Sequence, residues 1–252
     1  TFYTNYLYHD SSNKKYKSNI GPIPGKVKFC KFNDVSHLKK LVNKKTVAII
    51  IEFVQGDGGI NICSKNFAKA IKGICKNKKI LLIGDEIQGG IGRTGKIFAY
   101  KHYGVNPDII TSAKGLGSGI PIGATIVKKY ISKIISIGFH GSTFGGGMLQ
   151  TRVSYNVFRT INNKSFLNKV LINGNLLSSL IKKMHLLNKD KIVDTRCLGL
   201  MAGVEFKNNQ IALKTYEKMS KNGLISTLIQ GNIIRLTPPL TVSTGEIRKA
   251  IK

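Results

Sequence analysis

Two apolar runs rich in β-branched residues, TVAIIIEF at 46–53 and KILLIG at 79–84, flank a segment with helical periodicity. Runs this apolar suit strands covered on both faces of a sheet. The segment between them opens at Ser64 and repeats apolar side chains at Phe67, Ala70, Ile71, Ile74 and Cys75, the spacing of one helix face. A strand, a helix and a strand of these lengths make a parallel crossover unit. A third strand, DIITSA at 108–113, runs into Lys114 and the glycine-rich GLGSG. Asn33-Asp34 opens an earlier helix through Val35, Leu38, Leu41 and Val42. An α/β sheet is therefore the expected core.

Beyond about residue 150 the pattern changes. Helical periodicity runs through 151–162 and 166–187, the latter interrupted by Gly174. RCLGLMAGVEFK at 196–207 reads as a strand pair or one bent strand, and Ile211–Lys221 as a helix stopped by Gly223. A hairpin turning at Gly231-Asn232 follows, then a capping box at Ser243-Thr-Gly-Glu246 that opens a last helix. The expected organisation is a large parallel α/β part over 1–155 and a smaller α+β part over 156–252.

No apolar run approaches the ~18–20 residues of a membrane helix, so no membrane partner is expected. The four cysteines form no CxxC pair, which fits a reducing cytoplasm better than a disulfide or zinc framework. A formal net charge of +28 invites a nucleic-acid reading. Yet 34 of the 40 basic residues are Lys and only 6 are Arg, dispersed among Asn and Ile without a charged block. Those three residue types share A/T-rich codons, so base composition accounts for the charge, and no nucleic-acid partner is expected.

In open parallel sheets, ligands collect at the carboxyl ends of strands. Asp57, Asp85-Glu86 and Lys114 all stand at such ends. A lysine that forms an imine, with a carboxylate that keeps a heterocyclic nitrogen protonated, is the set a pyridoxal site needs. Position alone leaves open that these are ordinary loop residues. Gly90-Ile-Gly-Arg-Thr-Gly95-Lys96 matches both GxGxxG and GxxxxGK. Ile97 follows where a P-loop has Ser or Thr, and the strand-to-glycine spacing is too long for a dinucleotide turn. It reads as a structural loop. HGSTFGGG at 140–147 offers Ser142 and Thr143 among glycines, either a phosphate cradle or a flexible turn. Arg235, mid-strand among apolar neighbours, calls for a carboxylate from the protein or from a substrate.

Taken together, IIEFVQGDGGI (50–60), the stretch 81–124 from LLIGDEIQGG to GIPIGA, GFHGSTFGG (138–146), RCLGLMAGVEF (196–206) and NIIRLTPPLTV (232–242) resemble the class III, fold-type-I pyridoxal-phosphate aminotransferases. Within the class, the resemblance is strongest to the acetylornithine aminotransferases. It implies transamination between N-acetylornithine and 2-oxoglutarate or glutamate, with ornithine or succinyldiaminopimelate as alternative donors. A non-catalytic remnant of the family is a further alternative. The cofactor implied is pyridoxal 5'-phosphate, and the implied assembly is a homodimer with a shared active site.

By the same resemblance Lys114 bonds to the cofactor and moves the proton, Asp85 pairs with the pyridine nitrogen, and Gln88 contacts the phenolic oxygen. Ser142 and Thr143 reach the phosphate across the dimer interface. Arg235 clamps the substrate α-carboxylate, Glu52 lies in the substrate-side loop, and Asp57 takes the place of a gating Glu one methylene longer. The usual Gln-Thr-Gly is Gln88-Gly89-Gly90, and the usual Gly-Gly-Asn-Pro is Gly145-Gly146-Gly147-Met148. The family's N-terminal third, with its phosphate-gripping Ser-Gly loop, has no counterpart in these residues. Phe2 is a candidate for the aromatic stacked on the ring.

Overall fold

The computed structural model describes residues 27–252, so Phe2 lies outside the described residues. Helix α1 (Val35–Leu41) begins where Asp34 accepts the His37 amide, the N-cap role of a short acceptor side chain. Strand β1 (Ala48–Glu52) leads into a hairpin of β2 (Val54–Gln55) and β3 (Asn61–Ile62). A plain loop is expected over 54–59, but Gln55 and Asn61 pair across it. Ser64 caps α2 (Lys65–Lys78), which buries Phe67, Ala68, Ile71 and Cys75. Strands β4 (Leu81–Asp85) and β5 (Ile109–Ser112) then extend β1 as parallel neighbours, as the apolar runs require.

The fourth strand of this sheet, β6 (Ala124–Val127), pairs antiparallel with β5. Only the short glycine-rich connection after Lys114 precedes it. Parallel crossovers need a dozen or more residues, usually a helix, whereas an antiparallel return needs few. The order is β1-β4-β5-β6, a mixed α/β sheet. Helix α3 (Lys129–Ser132) follows it.

Helices α4 (Met148–Ile161) and α5 (Lys164–Leu187) follow. Next come β7 (Ile192–Leu198) and β8 (Met201–Phe206), a true strand pair, and α6 (Asn209–Lys221). Strands β9 (Thr227–Ile229) and β10 (Ile233–Leu236) form the expected hairpin, and the capping box at Ser243 opens α7 (Thr244–Ala250). The second sheet is antiparallel, in the order β7-β8-β10-β9. One buried apolar cluster joins Phe53, Phe67, Ile71, Leu82, Phe98 and Ile110. A second joins Val170, Leu177, Ile181, Val204, Ile234 and Ile247, and Phe166 and Leu240 pack against both.

Gly174 has a packing reason rather than a helix-breaking one. It sits inside α5, where a Cβ would lie 2.5 Å from the Gly199 carbonyl in the β7–β8 turn. The helix thus lies directly on the turn backbone, and the Cys197 thiol donates to the Gly174 carbonyl. Gly174→Ala is expected to lower stability by about 1–3 kcal/mol, although alanine is the better helix former. Urea unfolding of the two proteins checks the sign; a stabilised variant would contradict the close approach.

Candidate active site

The parallel register carries one residue from each of three strands into a single row. Glu52 stands opposite Asp85 in the β1–β4 pair, and Asp85 opposite Thr111 in the β4–β5 pair. Side chains at matched register positions point to the same face of a sheet. Two carboxyls and a hydroxyl therefore line the carboxyl-terminal edge, with Lys114 three residues beyond Thr111.

Asp85 is buried, and its Oδ1 accepts the Ile87 amide at 3.0 Å and the Thr111 hydroxyl at 3.3 Å. Its Oδ2 accepts no hydrogen bond among the described residues, so one oxygen is anchored and the other is open to a donor. Thr111 escapes a motif search because its role appears only through the register.

Lys114 has a left-handed backbone, φ 42°, a conformation that costs a non-glycine residue of order 1–3 kcal/mol and clusters at functional sites. Although the residue is exposed overall, desolvation of its amine lowers the pKa from the ordinary lysine value. The nearby Arg235 charge pushes the same way, while Asp57, Glu52 and Asp85 oppose it. More of the amine is neutral, hence nucleophilic, than for a lysine in water.

Glu52 is the last residue of β1 and buried, not part of an open substrate-side loop. Burial, reinforced by the Asp85 charge, raises its pKa to about 8, against a bond from the Gly56 amide to its Oε2 at 3.1 Å. At neutral pH it is a neutral acid. It therefore offers a proton beside Asp85 rather than a second negative charge.

A long-range network closes over this row. Arg235 Nη1 donates to Asp57 Oδ1 at 2.7 Å and to Gln88 Oε1 at 3.2 Å, and Gln88 Nε2 donates to Asp57 Oδ2 at 3.2 Å. Asp57 reaches the guanidinium despite its short side chain. Gly56 makes room, since a Cβ there would collide with the Gln88 carboxamide. Arg235 Nε is buried and lacks an acceptor, and a cavity of about 620 Å³ opens beside it, lined in part by Ser226, Leu236 and Pro238.

The glycine loop after β4 is structural. Glu86 is fully buried and accepts the amides of Ala99 at 2.7 Å and Tyr100 at 2.8 Å, while Arg93 donates to the Leu200 and Pro238 carbonyls. The structure thus gathers Glu52, Asp57, Asp85, Gln88, Lys114 and Arg235. Ser142 and Thr143 are not gathered with them. Both are exposed, and among the described residues no hydrogen bond or ion pair links them to the cluster.

An amine that is partly desolvated and a half-anchored carboxylate thus stand at the ends of neighbouring strands, with Arg235 and its Asp57 partner close by. The aminotransferase class-III family model matches residues 4–252, and the chain belongs to that pyridoxal-phosphate-dependent family. It is 40% identical over 237 residues to the acetylornithine aminotransferase of Methanocaldococcus jannaschii, covering 92% of this chain and 58% of that protein. It is 37% identical over 244 residues to ornithine aminotransferase 1 of Staphylococcus saprophyticus, covering 96% and 60%. Among solved structures, an ornithine aminotransferase of Toxoplasma gondii, described with partial occupancy of PLP at its active site, superposes with a TM-score of 0.88 at 30% identity. That match covers 94% of this chain and 57% of the other. The chain thus spans about 60% of the length of these relatives.

The Glu52 pKa sets a stability signature. Its folded value of about 8 lies above the unfolded one, so between about pH 4.5 and 8 the native state holds a proton that the unfolded state has lost. Stability from this group is full below that window and falls as pH rises through it. Glu52→Gln is expected to flatten the fall and to raise the melting temperature above pH 8. Thermal unfolding across pH 4–9 measures it; parallel curves for the two proteins would contradict the assignment.

Proposed function

We propose that this chain carries the cofactor and substrate side chains of a pyridoxal-phosphate aminotransferase acting on N2-acetylornithine, with 2-oxoglutarate or glutamate as the exchange partner. The observation that carries this reading is the placement of Lys114 and the open Oδ2 of Asp85 at the ends of neighbouring strands. When bound, pyridoxal phosphate supplies an electrophilic carbonyl and a ring that absorbs carbanion charge. Lys114 is the amine that bonds to it covalently and moves a proton with its Nζ. Asp85 would keep a proton on the ring nitrogen through Oδ2, and Gln88, now bonded to Asp57 and Arg235, would contact the phenolic oxygen. Arg235 binds a substrate carboxylate when Asp57 releases it, through the Nη1 that Asp57 now occupies. Glu52 helps to exclude water at the inner wall.

The acetylornithine relatives favour that donor; the ornithine relatives make ornithine the alternative, with succinyldiaminopimelate as a third. We further assign 1–155 to a cofactor-binding domain and 156–252 to a small domain, working in a reducing cytoplasm. The active unit is a homodimer. Ile134, Ile137, Phe139, Phe144, Met148 and Leu149 expose apolar side chains around Ser142 and Thr143. A second copy would cover them and receive both hydroxyls at its phosphate site.

Loaded with pyridoxal phosphate and reduced with borohydride, the chain is expected to carry the label on Lys114 in peptide mapping. Lys114→Ala should lose it and drop turnover by about 10³-fold or more. A label that survives in Lys114→Ala overturns the lysine's role. Equal, negligible rates on acetylornithine, ornithine and succinyldiaminopimelate overturn the catalytic reading. For the assembly, Phe144→Asp is expected to sediment as a monomer and to hold cofactor more weakly than the parent dimer; an unchanged dimer would remove this face from the interface.

A further inference from the structure

Three successive carbonyls of the loop that bears Asp57 are each captured by a side chain. Gln230 Nε2 donates to the Asp57 carbonyl at 2.7 Å, Asn61 Nδ2 to that of Gly58 at 2.6 Å, and Arg196 Nη1 to that of Gly59 at 2.5 Å. Two of these donors belong to the C-terminal sheet: Arg196 lies on β7, and Gln230 begins the β9–β10 turn. The same sheet carries Arg235 on β10.

Arg196 is itself fixed. Its Nε donates to Asp194 at 2.7 Å and its Nη2 pairs with Glu205, which leaves Nη1 aimed at the loop. A guanidinium can hold two carboxylates and a carbonyl at once in a rigid fork; a lysine ammonium, a point charge on a flexible stem, cannot reproduce that fork. The loop is also seated by shape. Ile60 is fully buried with φ 57°, and a Cβ on Gly203 would lie 3.0 Å from its Cγ1. At Gly59, φ 105°, a Cβ would meet Ile233 at 2.9 Å and Arg196 at 3.2 Å.

We propose that Arg196 and Gln230 are positioning residues that bind the Asp57 loop to the Arg235 sheet, so that they set how firmly Asp57 competes with a substrate carboxylate for Arg235. The proposal rests on the reading of Arg235 as a carboxylate site. With the loop tied to the sheet that holds the arginine, Asp57 and Arg235 move together, and the pair is preassembled. Opening the gate then needs a swing of the Asp57 side chain rather than of its backbone. Loosening either tie lets the loop drift, weakens the internal ion pair and frees the guanidinium for a dicarboxylate.

The test uses the full chain loaded with pyridoxal phosphate and glutarate as an unreactive dicarboxylate probe. Arg196→Lys and Gln230→Ala are made in the parent and in the Asp57→Asn background. Calorimetry gives the glutarate affinity, and hydrogen exchange follows the amides of 55–60. Each single variant is expected to speed exchange at 57–59 and to tighten glutarate about fivefold, the effect of losing one ordinary hydrogen bond from the competing state. In the Asp57→Asn background neither substitution should change glutarate affinity further. Unchanged exchange in both variants overturns the proposal, as does, where the parent binds glutarate, faster exchange without tighter glutarate or equal tightening in the Asp57→Asn background. If glutarate binds none of the proteins, the reading of Arg235 fails instead. The exchange arm then decides the tie alone, faster exchange supporting it and unchanged exchange overturning it.

Discussion

The parallel register of β1, β4 and β5 is the constraint on which the rest depends. It fixes Glu52 opposite Asp85 and Asp85 opposite Thr111. A slip of one residue in either pair would turn the carboxyls into the opposite face. The register is secured by apolar side chains that alternate with the polar row and point to the opposite face. Ile51, Phe53, Leu82 and Ile110 share one buried cluster with the Phe67 and Ile71 face of α2. Core packing and site geometry are thus two results of the same pairing.

Onto this edge the C-terminal half brings Arg235. Arg235 meets Asp57 across 178 residues of chain, in an ion pair only partly screened from water, with side chains 17% and 51% exposed. Such a pair contributes little to stability by itself, of order 1 kcal/mol or less. That weakness suits the exchange proposed above, in which a substrate carboxylate takes the place of Asp57. The strong attachment of the loop lies elsewhere, in backbone carbonyls and a buried isoleucine, so the exchangeable contact and the structural ones are separate.

Much of this was legible in the residues. Apolar runs, helix caps and the hairpin turn foretell β1, β4, β5, α2, α7 and the β9–β10 pair, because each follows from local chemistry. Lys114 and Asp85 stand out because both directly follow buried strands. Harder to read were β6, whose direction depends on a short return, and the β2–β3 hairpin, too brief to show alternation. Gly174 looked like a weakness in a helix; its reason is the Gly199 backbone in another element. Thr111 and Arg196 fall inside stretches that carry the family resemblance but gain no role from it, and Gln230 lies outside those stretches. Their roles come from register and long-range contact, which one-dimensional spacing does not contain. Ser142 and Thr143 stand apart from the gathered residues, both exposed, so their proposed role depends on the second copy proposed above.

The central claim is that the carboxylate ending β4 and the amine following β5 flank one pyridine ring. Nitrogen-15 NMR of the full chain loaded with ring-labelled pyridoxal phosphate tests it most directly. A protonated ring nitrogen in the parent, shifted to the unprotonated resonance by Asp85→Asn, is the predicted result. An unprotonated nitrogen in the parent, or a protonated one unmoved by the substitution, would contradict it.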